Sequence, residues 1–577
     1  MTAAAWLQIV VFVAVLTACV PLLGGYMARV YQREPIVLDR VLGPLERLLY
    51  RAFGTDAGRE QDWKGYARAV LLFNLVGFLV LYTILRTQGI HPFNPQHLSS
   101  GPWDLSFNNA ASFVTNTNWQ FYGGETTLSY FSQMAGMAVQ NFLSAAVGIA
   151  VCIAVIRGFA RRSTDRLGNF WVDVTRTLLY VLLPIAVLGA LFLVSQGVLQ
   201  NLHAYETVNT IAGGTQTIPG GPVASQEIIK QLGTNGGGFF NVNAAMPFEN
   251  SSGLTNAFLM LMILAIPAAL TGTFGRMVGS RRQGWAIYAA MLVMFIGGVL
   301  VVSLAENAAS PAMHAAGIHG ANLEGKEARF GIGSSSLFAV VTTVASCGAV
   351  NAAMESLTGL GGAVPLANMM TGEVIFGGVG SGLYGMLLFV LLAVFLAGLM
   401  VGRTPEYLGK KINARDIKLV AVGTLAVPLL VLVFTSVAIA TKYGRASIFD
   451  AGPQGFSETL YAYTSQANNN GSAFAGYTGF VQPDGTNDGA LTITFANIMG
   501  GLAMLFGRFL PALAALAVAG SLAGKRVAPL GPGTMRTDTP TFVVLLIGAV
   551  LLVALLTFVP ALLLGPIAQG LTNQLFG

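Results

Sequence analysis

Apolar residues run through this chain in blocks long enough to cross a hydrocarbon core, which takes about 20 residues each. Ten such blocks fall near 4–26, 64–86, 128–156, 171–197, 254–278, 284–305, 383–402, 416–440, 492–518 and 540–564. The predicted fold class is an all-α polytopic membrane protein with ten transmembrane helices. Four of the polar interruptions are short and rich in Gly, Asn and Thr: Thr115-Asn116-Thr117-Asn118-Trp119-Gln120, Thr234-Asn235-Gly236-Gly237-Gly238-Phe239, Ser346-Cys347-Gly348-Ala349-Val350-Asn351 and Asn469-Asn470-Gly471-Ser472-Ala473-Phe474. Thr117, Gly236, Gly348 and Gly471 are separated by 119, 112 and 123 residues, which predicts one unit used four times.

Spans two to nine then divide into four tandem helix–pore loop–helix units at 64–160, 171–282, 284–411 and 416–526. Residues 1–63, carrying span one and a basic loop, and 540–577, carrying the last span, are additions to a single membrane domain over 1–577. A short helix is expected ahead of each loop, at 104–114, 223–233, 334–345 and 457–467, with Ser or Asp near the starts as caps. Each would aim the negative end of its dipole at a common centre, where a cation is favoured. Non-helical backbone at membrane depth persists only where protein encloses it or water lines it. Four converging loops meet that requirement as a ring of carbonyl oxygens that replaces the hydration shell of an ion such as potassium. Glycine at the third loop position suits left-handed backbone angles; repeat one carries Thr117 there. A single loop of this kind would read as an ordinary turn, but four at matched spacing do not.

Charged residues are only 10% of the chain, against 54% hydrophobic, with mean hydropathy +0.65; a soluble domain has about one quarter charged residues. Lys and Arg crowd every second connection: Arg29 to Arg68, Arg157 to Arg176, Arg276 to Arg282, Arg403 to Lys418, and Lys525 to Arg536. The others hold Arg86, Lys230, Lys326, Arg329, Lys442 and Arg445. Excess positive charge marks the cytoplasmic side, so both termini and all four loops are expected outside. The net charge of +6 is thereby explained by topology and membrane lipid, not by nucleic acid. Span one has no basic region ahead of it and reads as a retained helix. Cys19, Cys152 and Cys347 imply no disulfide framework.

The four loop sequences resemble those of the potassium-binding A subunits of bacterial Kdp potassium-transporting ATPases, a family similar to the Trk, Ktr and HKT transport proteins. The likeness covers essentially the whole chain. It implies a bacterial inner-membrane subunit that binds and selects potassium without hydrolysing ATP. Hydrolysis would fall to a P-type ATPase, the B subunit, in a complex that also holds the C subunit and a small F subunit. The implied filter residues are Thr115, Asn116, Thr117, Asn118, Thr234, Asn235, Gly236, Gly237, Ser346, Cys347, Gly348, Ala349, Asn468, Asn469, Asn470 and Gly471. No G-x-x-x-x-G-K-[ST] loop and no Asp-Lys-Thr-Gly motif occurs, so no ATP site is expected here. Gly380-Ser381-Gly382-Leu383-Tyr384-Gly385 matches a dinucleotide fingerprint but opens a membrane span without a preceding strand. The alternative reading is a stand-alone Trk/Ktr-type channel or carrier; a carrier of organic solutes fits less well, because such folds use inverted repeats.

For Gln120 the resemblance implies a place near the filter and a part in selectivity; the bland reading is a polar side chain that ties down its own loop. Arg508 interrupts span nine, where a charge costs about 3 kcal/mol; the resemblance implies a barrier under the filter, the bland reading an Arg satisfied by nearby acceptors. The glycines around Met369-Met370-Thr371-Gly372-Glu373 prevent one continuous helix. A gate is expected there, built on Gly372, Glu373, Gly377 and Gly378, against the simpler reading of a packing kink. Glu125, Glu227, Glu249, Glu355 and Glu458 read mostly as solvated outer-loop charges, and His91, His97, His203, His314 and His319 receive no role.

Overall fold

The computed structural model describes residues 3–479, 489–528 and 534–573; the end of the last predicted unit, 574–577, lies outside them. Ten helices among the described residues are long and apolar enough to cross a membrane: Ala3–Gln32, Trp63–Arg86, Ser132–Ala160, Phe170–Ser195, Gly253–Met277, Arg281–Ala315, Ser381–Met400, Ala414–Ala440, Phe495–Ala523 and Pro540–Leu571. Extended structure among those residues is limited to two-stranded ribbons, one of them the exposed pair Glu206–Asn209 and Thr215–Ile218, and to the single bridges Lys326–Ala352 and Ile448–Tyr477.

Burial separates the spans into two shells. Spans three, five, seven and nine have 89, 72, 61 and 61% of their most apolar windows buried, whereas spans two, four, six and eight have 28, 44, 44 and 28%. Both groups are equally apolar in sequence, because lipid and protein interior accept the same side chains. The inner four follow the four polar segments and surround the centre. The outer ones turn residues such as Leu72, Leu75 and Leu79 outward. Span one joins the outer shell by close packing on span five: a side chain at Gly24 would overlap the Ala269 carbonyl, and one at Gly272 the Val20 carbonyl.

Four short helices precede the polar segments, at Trp103–Val114, Val223–Leu232, Gly331–Thr343 and Gly452–Asn468. The expected Ser and Asp caps are absent. The helices begin after Pro102, Pro222, Phe330 and Ala451, none of which caps through a side chain. Two of the polar side chains near those starts reach other elements instead, and a third bonds within its helix. Asp104 accepts from Asn497 Nδ2 at 2.8 Å, Ser334 donates to Gln8 at 2.9 Å, and Ser457 donates to its own helix at Pro453 O. In the third unit the helix Gly359–Met370 stops ten residues before Ser381–Met400 begins, the break that the glycine pattern requires.

Candidate functional site

The four short helices end alike, and their ends set the register. Each closes with a backbone bond from N–H to the carbonyl five residues earlier: Thr117 to Ser112, Asn235 to Lys230, Cys347 to Thr342 and Asn470 to Ser465, at 2.8–3.1 Å. The residue before each donor is left-handed, as a helix terminus of this type requires: Asn116 (φ 69°), Thr234 (48°), Ser346 (48°) and Asn469 (63°). On this register Gly236, Gly348 and Gly471 correspond to Asn118, not to Thr117. The sequence alignment of repeat one is therefore one residue out. Asn118 has φ 59°, while Gly236 and Gly471 have 81° and 97°; asparagine is the residue after glycine that best tolerates this region. Thr117 is not left-handed, so it needs no glycine.

The four segments close into a ring. A Cβ on Gly236 would overlap the backbone of Gly348, one on Gly348 would sit 2.7 Å from Gly471 C, and one on Gly471 would overlap the Thr117 carbonyl. From Gly237 a Cβ would lie 3.1 Å from Asn118 O, completing the circuit. Side chains brace the joints from behind. Asn116 donates to the Gly233 and Thr234 carbonyls and accepts from Asn235 Nδ2 at 2.6 Å, while Asn469 donates to Thr117 Oγ1 at 2.9 Å. Thr115 Oγ1 bonds Thr117 Oγ1 at 2.7 Å.

A tether repeats at one position of every short helix. Ser112 Oγ donates to Trp119 O at 2.9 Å, Lys230 Nζ to Gly237 O at 3.0 Å, Thr342 Oγ1 to Cys347 O, and Ser465 Oγ accepts from Gly471 N at 2.9 Å. Lys230 is no outer-loop charge. It is buried, with Glu227 and Glu249 each at 2.6 Å. The reading of these two glutamates as solvated charges is thus overturned: a lysine inside the protein fixes them. Lys326 likewise binds the buried Glu306 at 2.8 Å. Glu227 and Lys230 stand three apart on a helix, a spacing that places them on one face and that sequence reasoning passed over. Gln120 ties down a loop, but its neighbour's: its Oε1 accepts from Gly238 N at 2.9 Å while its Nε2 faces Tyr122 Oη at 3.1 Å.

Above the ring opens a vestibule of about 810 Å³, bordered by Gln120, Asn243, Glu355 and Tyr477. Below it lies a cavity of about 70 Å³ bounded by Ser346, Gly372, Asn468, Asn469 and Arg508. The interrupted stretch of the third unit passes between ring and cavity. Glu373 there is buried, accepts from Asn470 Nδ2 at 2.6 Å and from Ser346 Oγ, and interacts electrostatically with Arg508. Gly377 N donates to Val344 O at 2.6 Å and Val379 N to Thr234 Oγ1 at 2.9 Å. A side chain at Gly378 would come within 2.5 Å of Ser381 Oγ, so the stretch packs tightly. Arg508 is itself buried, its guanidinium beside Gly148 of span three. Cys347 and Ala349 are fully buried in the ring.

Residues 10–571 match the model of the family described as "Potassium-transporting ATPase A subunit". The chain belongs to that family. It is 57% identical to a potassium-transporting ATPase potassium-binding subunit of Methylobacterium nodulans, over 99% of this chain and 98% of that one. Subunits of the same name from Brucella anthropi and Rhizobium rhizogenes are each 55% identical, covering 99% of both chains. This A-subunit family, rather than the stand-alone carriers, is therefore the setting in which the ring is to be understood.

Proposed function

We propose that this chain is the potassium-binding and selecting subunit of an ATP-driven uptake pump. It takes the ion from the external side through the four-segment ring and passes it to a P-type ATPase partner. The observation that carries the reading is the closure of the ring: four segments from distant parts of the sequence meet backbone to backbone around one axis, the arrangement in which main-chain oxygens replace a hydration shell. The segments 115–118, 234–237, 346–349 and 468–471 supply those oxygens, each within one of the four helix–loop–helix units. Potassium is the cargo, and ATP is hydrolysed elsewhere. The partners are the P-type ATPase B subunit, the C subunit and a small F subunit, in a bacterial inner membrane, with both termini of this chain outside.

Beneath the ring, Arg508 supplies a fixed positive charge that opposes free passage down the axis, and the Gly372–Gly378 stretch acts as a gate whose resting position is held by Glu373. Gln120 tunes selectivity indirectly, by fixing Gly238 in the next segment. In proteoliposomes, the complex with its ATPase partner should accumulate potassium or rubidium only with ATP, and this chain alone should pass neither ion at a comparable rate. Rapid potassium flux through the isolated chain would overturn the reading in favour of a self-sufficient carrier.

A further inference from the structure

The fold gives its other buried carboxylates a cation or hydrogen bonds: Glu227 and Glu249 have Lys230, Glu306 has Lys326, Asp173 has Arg157 and Asp416 has Lys525, while Asp104 accepts from Asn497 and Glu373 from Asn470 and Ser346. Glu458 breaks this practice. It lies near the outer end of the fourth short helix, is fully buried, and receives no hydrogen bond at either carboxylate oxygen among the described residues. Its nearest polar neighbours are two further carboxylates, Glu355 and Asp450, with one oxygen from each of the three within 4.8 Å of the others. Glu355 is held in place by Gly476 N at 2.8 Å and Gln454 Nε2 at 3.3 Å. No ion pair joins any of the three to Lys, Arg or His among the described residues.

We propose that Glu355, Asp450 and Glu458 bind a divalent cation, of the calcium or magnesium type, at the rim of the external vestibule. Hard divalent ions are bound by carboxylate oxygens supplied from separate segments, as here, and an isolated buried carboxylate is too costly to leave without a counter-charge. Glu355 also borders the vestibule, which gives the ion a route from outside. The occupied site would tie the segment after the third loop to the start of the fourth short helix and to Gly476, five residues beyond Gly471. It would thus steady the outer edge of the ring without touching transported potassium. Burial and the two neighbouring carboxylates push Glu458 up to about 9, and burial raises Glu355. Without a cation the site must therefore take up protons. An acid whose pKa is raised by folding contributes stability that is present at low pH and lost as pH rises, here between the ordinary carboxylate range and about 9.

The vestibular position rests on the ring and topology proposed above, and the test separates the two. The full chain, purified in lipid nanodiscs with a chelator, is melted over pH 5–9 with and without millimolar calcium or magnesium, alongside Glu458→Gln and Asp450→Asn. Wild-type protein in chelator should lose melting temperature as pH rises. Calcium or magnesium should restore it by several degrees, and both substitutions should lessen the dependence on pH and abolish the response to the divalent ion. Tyr477, next to the site, should sensitise terbium luminescence in wild-type protein and not in Glu458→Gln. Stabilisation by potassium at the ring should survive in both variants. Its loss in wild type would count against the ring, not against the carboxylate site. An unchanged melting curve with either divalent ion, or equal stabilisation of wild type and Glu458→Gln, would overturn the proposal and leave three carboxylates that share protons.

Discussion

Among the described residues, two regions of non-helical backbone lie between the spans, the ring and the stretch beneath it, and they are held in different ways. The ring is locked by contact: its glycines leave no space for a side chain, and four tethers fix its carbonyls and amides from the helices behind. The stretch 371–380 beneath it is as tightly packed at Gly377 and Gly380, where a Cβ would overlap backbone, but a Cβ at Gly372 would meet only Val374 at 4.0 Å, and the neighbouring Glu373 is held by polar bonds from Ser346 and Asn470. Contact of the first kind has one arrangement. The Gly372–Glu373 end has space and exchangeable bonds, and it is there that the proposed gate would move while the ring keeps its shape.

The largest effect should come from crowding the ring. Gly236→Ala adds a side chain where the Gly348 backbone already lies, at a left-handed position that costs ~1–2 kcal/mol before any clash. The total should exceed about 4–5 kcal/mol. Potassium-stimulated ATP hydrolysis by the assembled complex should disappear even at high potassium. Gly279→Ala, also left-handed but with open space around it, should retain it. Equal behaviour of the two variants would mean that the ring is not sterically locked.

Next comes the charged tether. Lys230→Met leaves Glu227 and Glu249 buried together without their cation, and breaking such a set costs about 3–5 kcal/mol. Thermal stability and apparent potassium affinity should fall together, and adding Glu227→Gln and Glu249→Gln to the variant should recover much of the stability. If affinity returns with stability, Lys230 serves only to balance charge. If affinity stays low, its bond to Gly237 O is what shapes the ring. A smaller effect is expected below. Glu373→Gln alters the hydrogen bonds from Ser346 and Asn470, worth about 0.5–1.5 kcal/mol each. Potassium binding should change less than uptake; a parallel loss of both would place Glu373 with the ring rather than with a movable stretch.

What the sequence disclosed and what it withheld follow from the same physics. Ten spans were legible because lipid demands long apolar runs, and the four loops were legible because Gly, Asn and Thr interrupt those runs at regular distances. The inner and outer shells were not, since lipid and protein interior select the same side chains. The Glu227–Lys230–Glu249 cluster was hidden by counting charges per connection, which treats every polar residue between spans as facing water. Glu458 was hidden for the same reason. The absent Ser and Asp caps show the reverse error: short polar side chains at a helix start were credited with a local role, while Asp104 and Ser334 reach other elements.

The register of repeat one is the finest case and allows the most delicate test. Thr115-Asn116 reproduces the Thr234-Asn235 of repeat two, so aligning these pairs places Thr117 opposite Gly236 and leaves a plausible match. The helix terminus resolves it, because Thr117 N–H bonds Ser112 O as Asn235 N–H bonds Lys230 O, and the following residue, Asn118, has the left-handed backbone of Gly236. If Asn118 is the counterpart of the three glycines, Asn118→Gly loses one bond, to Asn141 at 2.5 Å, but gains a residue suited to φ 59°. The two changes oppose each other, each on the order of 1 kcal/mol, so potassium affinity should stay within several-fold of the parent. Thr117→Gly has no such compensation: it removes the hydroxyl that meets both Thr115 and Asn469 and loosens the joint between repeats one and four. It should weaken potassium activation more than Asn118→Gly does, in the same assay. The opposite order would restore the register suggested by the sequence and make Thr117 the odd member of a fourfold set.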